Sequence, residues 1–326
     1  PSPSEPVLVL LEAGADGARL PRVADPAVPH LRVSDQGVTR GDGLFETALA
    51  VADEAGVLRM RKLGAHLGRL ASSAAALQLP APSAAAWEAA VERGLQAFAA
   101  ANDVAAGDRL SVRLTVTRGP EAAPGAVPEP SAWALLSPAP AVEDEERRTG
   151  LRVLLLDRGL DSRAPERSPW LLTGAKTLSY AVNMAALRYA RAHGADDVVF
   201  TSADGYLLEG PTSTVLIVRT GADGTRRLLT PLRQKGILAG TSQAVIFAAA
   251  GAAGWELGYG PLVPADLEGA DGVWLVSSVR GVLPVRAVDG VEIPVDHALT
   301  LELQAHLDAD GDPGAHVAGD PAPTAG

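Results

Sequence analysis

At 326 residues the chain is long enough for one large or two medium domains, and its 47% hydrophobic content is that of a globular protein. Zero cysteines exclude disulfides, iron–sulfur clusters and thiolate zinc sites, and a formal net charge of −11 argues against the basic surface that nonspecific nucleic-acid binding needs. The six histidines form no H-x-H or H-x-x-x-H pair, so no metal site is expected. No apolar run approaches the roughly 18–20 residues of a membrane span, and "PSPSEPVLVLLEAGADG" lacks the basic n-region of a secretory signal, so a cytoplasmic protein is expected.

In chain order, "VLVLLEA" and "GLFETALAVADEAGVLRM" read as strands around Asp-Gly and Glu-Ala-Gly turns. Leu63, Leu67 and Leu70 recur at helical spacing in "KLGAHLGRLASSAAALQL", and "SAAAWEAAVERGLQAFAAAN" predicts a second helix capped by Ser83. "DRLSVRLTVTRG" alternates as a half-buried strand, and "SAWALLSPAP" follows it. The proline-rich, highly charged "SPAPAVEDEERRTG" marks a boundary near 137–150. This predicts a smaller α+β domain over 1–143 and a larger domain over 144–306.

The larger domain opens with the apolar strand "LRVLLLD" and, after "GAKTLSY", a helix "AVNMAALRYARAHG" ended by Gly194. "DDVVFTS", "GYLLEG", "STVLIVRT" and "RRLLTP", separated by glycine turns, predict a hairpin series. A helix in "AGTSQAVIFAAAGAAG" and strands in "GVWLVSSVRGVLPVRAVDG" complete it, and the Gly/Pro/Ala/Asp tail 307–326 is expected to be disordered.

The chain has 28 basic residues but only three lysines, Lys62, Lys176 and Lys235. Lys62 and Lys235 sit among polar neighbours and read as surface charges. Lys176, in "WLLTGAKTLSYAVNMAAL", has apolar or small neighbours and no nearby carboxylate; loss of hydration there favours a neutral, nucleophilic amine suited to imine formation with a carbonyl. A lysine that snorkels to the surface fits the local sequence equally well. Glu209 ends the apolar "GYLLEG", where a protonated pyridine nitrogen would be a fitting partner, although an exposed turn carboxylate is the alternative. Gly240, Thr241 and Ser242 stand at a helix start that favours an anion, or simply cap it. Ser277 and Ser278 fall in a break between strands, and Arg69 is either a bidentate phosphate ligand or a surface arginine.

Taken in order, "GDGLFE", "HLGRL", "GAKTLSY", "GYLLEGPTSTV", "GILAGTSQ" and "WLVSSVRGVLPV" resemble the fold-type IV pyridoxal-phosphate enzymes, over roughly residues 30–300. These include aminodeoxychorismate lyases, branched-chain aminotransferases and D-amino-acid aminotransferases. The resemblance implies a two-domain α+β / α/β fold of the D-amino-acid aminotransferase type, with the active site between the domains, the larger domain binding pyridoxal 5'-phosphate, and a homodimer. It implies that Lys176 holds the cofactor and moves protons, that Glu209 binds the pyridine nitrogen, and that Arg69, Thr241, Ser242 and Ser278 bind the phosphate. Leu238 would pack against the ring and Tyr180 lie near the ring oxygen, one residue closer to the lysine than in branched-chain aminotransferases.

Two departures weigh against D-amino-acid transamination: no Arg-x-His follows Arg118 in "VTRGPEAAPGAVPEP", and Phe45 stands where those enzymes have tyrosine. "RGDGLFETAL", "PWLLTGAKTLSYAVNMAALR" and "DGYLLEGPTSTV" are instead similar to the actinobacterial aminodeoxychorismate lyases. That resemblance implies a small-molecule amine substrate, 4-amino-4-deoxychorismate, converted to 4-aminobenzoate and pyruvate in folate biosynthesis. Thr47 is then the candidate proton donor to the departing methylene, with Glu46 replacing a threonine that some lyases carry beside it. An aminotransferase of branched-chain or D-amino acids is the second reading, and a noncatalytic pyridoxal-phosphate carrier the third. Substrate choice falls to loops near 118–130 and 277–283, with Arg280 a candidate for a substrate carboxylate or a solvated surface residue.

Overall fold

The computed structural model describes residues 5–14, 18–122, 129–140, 142, 144–233 and 236–309. The chain folds into two compact units, Pro1–Pro140 with Ala175–Ser179, and Ala141–Gly174 with Tyr180–Gly326. The main division falls after 140, and a five-residue segment carrying Lys176 groups with the first unit.

The first unit runs β1 (Val7–Ala13), β2 (Arg19–Ala24), α1 (Gln36–Thr39), β3 (Gly43–Ala52), β4 (Leu58–Met60), α2 (Leu63–Ala76), α3 (Ala84–Ala101), β5 (Arg109–Thr117) and β6 (Ser131–Pro138). Its strands form an antiparallel sheet in the order β2-β1-β6-β5-β3-β4. The two helices cover one face, where Leu67 and Leu70 of α2 and Trp87, Val91 and Phe98 of α3 are buried. Each large apolar side chain fully buried there contributes about 1.5–3 kcal/mol. Ser83 caps α3 as expected, its hydroxyl accepting from Ala86 N at 3.2 Å. The periodicity did not predict β2 or the short α1. The latter is held by buried Asp35, which accepts from Gly37 N, Thr117 Oγ1 and Ser131 Oγ.

The second unit contains α4 (Asp144–Thr149), β7 (Leu151–Asp157), α5 (Ala164–Arg167), α6 (Ala181–Ala192), β8 (Asp197–Thr201), β9 (Thr214–Thr220), β10 (Arg226–Pro231), α7 (Thr241–Ala252), β11 (Glu256–Gly260), α8 (Ala265–Glu268), β12 (Gly272–Ser277), β13 (Gly281–Val288), β14 (Val291–Glu292) and α9 (His297–Asp308). Its sheet has the order β11-β10-β9-β12-β13-β7-β8, with β14 paired to β13. The continuous apolar run of β9 follows from burial on both faces. Val215 and Ile217 join a core with Leu275 and Val285, while Leu216 and Val218 join one with Ile246 of α7 and Leu303 of α9.

The expected hairpin series holds for two pairs and breaks between them. β8 pairs with β7 in parallel, with α6 lying between them in sequence, and β9 and β10 form an anticipated hairpin. "GYLLEG" folds back antiparallel on β8: Leu207 bridges Thr201, Leu208 N donates to Phe200 O, Phe200 N to Glu209 O and Ser202 N to Tyr206 O, while Leu207 N, on the far edge, donates to Leu262 O, and β9 lies instead between β10 and β12. Helix α9, capped by Asp296, extends through Asp308 into the segment expected to be disordered; residues 310–326 of that tail lie outside the described residues. Among the described residues no helix is long and apolar enough to cross a membrane, and no His/Asp/Glu group could hold a metal ion.

Candidate active site

Lys176 sits on the edge of the first unit's sheet. Gly174, at φ 87°, allows the turn that leads into the segment. The carbonyl of Lys176 accepts from Phe45 N at 3.0 Å, Thr177 bridges Leu44, and Leu178 N donates to Gly43 O at 2.8 Å. The amide of Lys176 donates to Ser73 Oγ on α2 at 3.1 Å. Its ammonium nitrogen lies 4.7 Å from the centre of the Phe45 ring, and the Arg113 guanidinium lies 4.1 Å from the same ring. Thr47, two residues along β3, is half-buried on the Phe45 face and opposite Arg113 of β5.

Glu46 points to the opposite face, under α2, and is fully buried. Arg69 forks onto it, Nε to Oε1 and one terminal nitrogen to Oε2, both at 2.7 Å, and His66 Nδ1 lies 2.8 Å from Oε2. Burial alone would push the Glu46 carboxyl up; the Arg69 guanidinium and the hydrogen bonds from Arg69 and His66 outweigh it and hold the pKa at about 2. Burial pushes the His66 pKa down against the pull of Glu46, so a neutral ring donates through Nδ1. Arg69, expected at a phosphate, thus spends its Nε edge on Glu46. The sequence held a signal for this trio in the i, i+3 pair His66 and Arg69 and in the position of Glu46 between Phe45 and Thr47 on a strand.

In the second unit the structure brings Glu209 to Leu238, whose N–H donates to Oε2 at 3.2 Å, while the Glu209 carbonyl accepts from Phe200 N. It also gathers Thr241, Ser242 and Ser278: the Ser278 hydroxyl lies 3.3 Å from that of Thr241 and 3.4 Å from that of Ser242. Neither Thr241 nor Ser242 is the cap of α7. Gly240 is, and it supplies no side-chain hydrogen bond to the first turn. A Cβ there would meet Thr214 Oγ1 at 2.5 Å, so the position suits glycine. Nearby in sequence, Ser213 Oγ is buried with no hydrogen-bond partner among the described residues.

Three sequence candidates are engaged in the fold itself. Tyr180 donates its hydroxyl to Pro211 O at 2.8 Å, a carbonyl that also accepts from Asn183 Nδ2 at 2.7 Å. Arg280 pairs with the fully buried Asp197 at 2.7 Å, and Arg118 with Asp42 at 2.6 Å. Lys62 takes the left-handed conformation immediately before α2, while Lys235 and residues 123–128 lie outside the described residues.

The profile of the class IV amino-transferases matches residues 43–288, from the start of β3 to the end of β13. The chain belongs to this family.

Within the class IV family it is 41% identical over 274 residues to the bifunctional aminodeoxychorismate lyase / D-amino acid transaminase of Mycobacterium tuberculosis, covering 83% of this chain and 90% of that one. The fold IV-transaminase CpuTA1 of Curtobacterium pusillum is 41% identical, with a TM-score of 0.81 over 94% of this chain and 100% of its own. A hypothetical aminotransferase from Mycobacterium tuberculosis in its PLP-bound form is 39% identical, with a TM-score of 0.80 over 94% and 100%. The mixed α+β architecture with two sheets is that of the fold-type IV aminotransferases, enzymes that use pyridoxal phosphate. The residues present fit that group. Lys176 is an amine on an aromatic ring, Glu209 a half-buried carboxylate, and the start of α7 an uncapped helix end with buried hydroxyls, suited to a phosphate.

Proposed function

We propose that this class IV enzyme converts 4-amino-4-deoxychorismate to 4-aminobenzoate and pyruvate; amino-group exchange between amino acids and 2-oxo acids is the second reading. The observation that carries the reading is the seating of Lys176 against the edge of β3, its amine over Phe45, with Thr47 of the same strand on the Phe45 face. Two features favour the lyase over D-amino-acid transamination: Phe45 in place of a tyrosine, and the lack of an Arg-x-His pair after Arg118. The exchange reading is kept because the Mycobacterium tuberculosis relative carries both activities in its name.

Bound pyridoxal phosphate supplies an electron sink for breaking a bond next to the substrate nitrogen. In this reading Lys176 Nζ would hold the cofactor and would be the base that takes up the substrate's ring proton. Thr47 Oγ1 delivers a proton to the departing methylene. Glu209 faces the pyridine nitrogen, and Leu238, whose amide already fixes Glu209, covers the ring. Thr241, Ser242 and Ser278, with Arg69, take the phosphate. Tyr180 acts near the ring oxygen, where its bond to Pro211 O sets the direction of the phenol. Assembly as a homodimer belongs to the same reading.

The test is to supply the purified, cofactor-loaded protein with aminodeoxychorismate, and in parallel with amino acids and 2-oxo acids. Release of 4-aminobenzoate and pyruvate without any oxo acid is expected, and the Lys176→Ala variant should lose both turnover and the visible cofactor band. Exchange alone would overturn the lyase in favour of the second reading. A Lys176→Ala protein that retains band and turnover would sink both.

A further inference from the structure

Ser72 and Ser73, adjacent on α2, are used in opposite ways. Ser72 is exposed and its hydroxyl donates to Gly68 O at 3.0 Å, the usual back-bond of a helical serine to the carbonyl four residues earlier. Ser73 is 2% exposed, and its oxygen accepts the amide of Lys176 at 3.1 Å, across 103 residues of chain. A buried polar group of this kind requires a partner, and here the partner is the backbone of the lysine assigned the chemistry.

Both backbone groups of Lys176 are therefore taken up within the first unit: the carbonyl by Phe45 N of β3, the amide by Ser73 of α2. Holding both groups of one residue fixes the direction of its Cα–Cβ bond, from which the flexible four-carbon lysine stem departs. The helix that presents Ser73 is itself held, because His66 and Arg69, seven and four residues earlier, both bind Glu46, the neighbour of Phe45. The spacing 66, 69, 73 places the three on one stripe of α2 facing the sheet.

We infer that Ser73 is a positioning residue for Lys176: through its hydroxyl it sets the base of the lysine side chain from helix α2. The inference rests on the role given to Lys176 in the proposed function. Of the two bonds holding the Lys176 backbone, this one comes from a side chain and can be removed without breaking a strand.

Two measurements on the full chain test it. In the cofactor-free protein, hydrogen exchange at the Lys176 amide should speed up by about tenfold in Ser73→Ala, as expected for loss of one hydrogen bond, with exchange at Trp87 and Phe98 in α3 unchanged. In the cofactor-loaded protein the visible band should persist, its titration with pH should shift, and kcat should fall by about tenfold at nearly constant KM. Ser73→Thr, which keeps the hydroxyl, should restore all three. If Ser73→Ala does not fold, Ser73→Cys keeps the volume with a weaker acceptor and carries the same comparison. Unchanged exchange at Lys176 overturns the anchor, and faster exchange with an unchanged pH titration and kcat overturns the positioning role. Failure of the wild-type protein to take up pyridoxal phosphate would instead overturn the proposed function, and the exchange arm separates the two because it needs no cofactor.

Discussion

The buried polar groups around Glu46 and those at the start of α7 are built on different principles. Around Glu46, the Arg69 guanidinium and the neutral His66 ring converge on one ionised carboxylate at 2.7–2.8 Å under α2. At α7 the partners are neutral hydroxyls 3.3–3.4 Å apart, at the long end of the hydrogen-bonding range, around a helix end whose cap residue has no side chain. Short charge-assisted bonds mark a group completed by the fold itself. Long contacts between neutral hydroxyls at a helix N-terminus leave room for an added acceptor, so under the proposed function α7 is where ligand affinity should respond more than stability.

The sharpest way to break this comparison is to remove the carboxylate. Glu46→Ala removes the carboxylate that Arg69 and His66 both bind under α2 and should cost about 3–5 kcal/mol in denaturant unfolding. A cost under 1 kcal/mol would show that the cluster is not what holds α2 to β3. Acid should give nearly the same answer without mutation. A Glu46 pKa held at about 2 instead of 4.5 contributes about 3 kcal/mol that is fully present above pH 4.5 and is lost as pH falls toward 2. His66, lowered from 6.5, acts in the same direction, since below that pH the unfolded chain takes up the proton more readily. Stability of the wild-type protein should therefore decline from about pH 6.5 downward and more steeply below 4.5, and the steep part should vanish in Glu46→Gln. The smallest effect is expected at α7. Thr241→Ala with Ser242→Ala should leave the cofactor-free unfolding midpoint nearly unchanged and weaken retention of pyridoxal phosphate by about tenfold, the effect of one or two hydrogen bonds. A large loss of stability with unchanged retention would reverse the contrast.

Local order carried much of this architecture in the sequence. The period of α2 and α3, the alternation of β5 and the double-sided burial of β9 are properties of neighbouring residues and can be read from them. β2 could not, because "RLPRVA" is an edge strand with a proline and little apolar content. α9 was hidden beside a tail of unpatterned composition, although Leu299, Leu303 and Leu307 lie on one face of it. In the candidate site, Lys176 stood out by rarity and by its apolar neighbours, and Glu209 by its place after an apolar run. What escaped were pairings across long stretches of chain: Glu46 with Arg69, Ser73 with Lys176, Arg280 with Asp197, and the shared carbonyl of Tyr180 and Asn183. Each residue alone has an ordinary surface reading, and only the fold supplies the partner.

The grouping of Ala175–Ser179 with Pro1–Pro140 means that the chain changes unit three times, after Pro140, after Gly174 and after Ser179. No single cut therefore separates the protein into self-sufficient halves. A fragment ending at 140 would present the bare edge of β3, with the main-chain groups of Gly43 and Phe45 unpaired, and the complementary fragment would carry the lysine away from the strand that seats it. Exchanging either half between relatives would also exchange one side of the joint that holds Lys176.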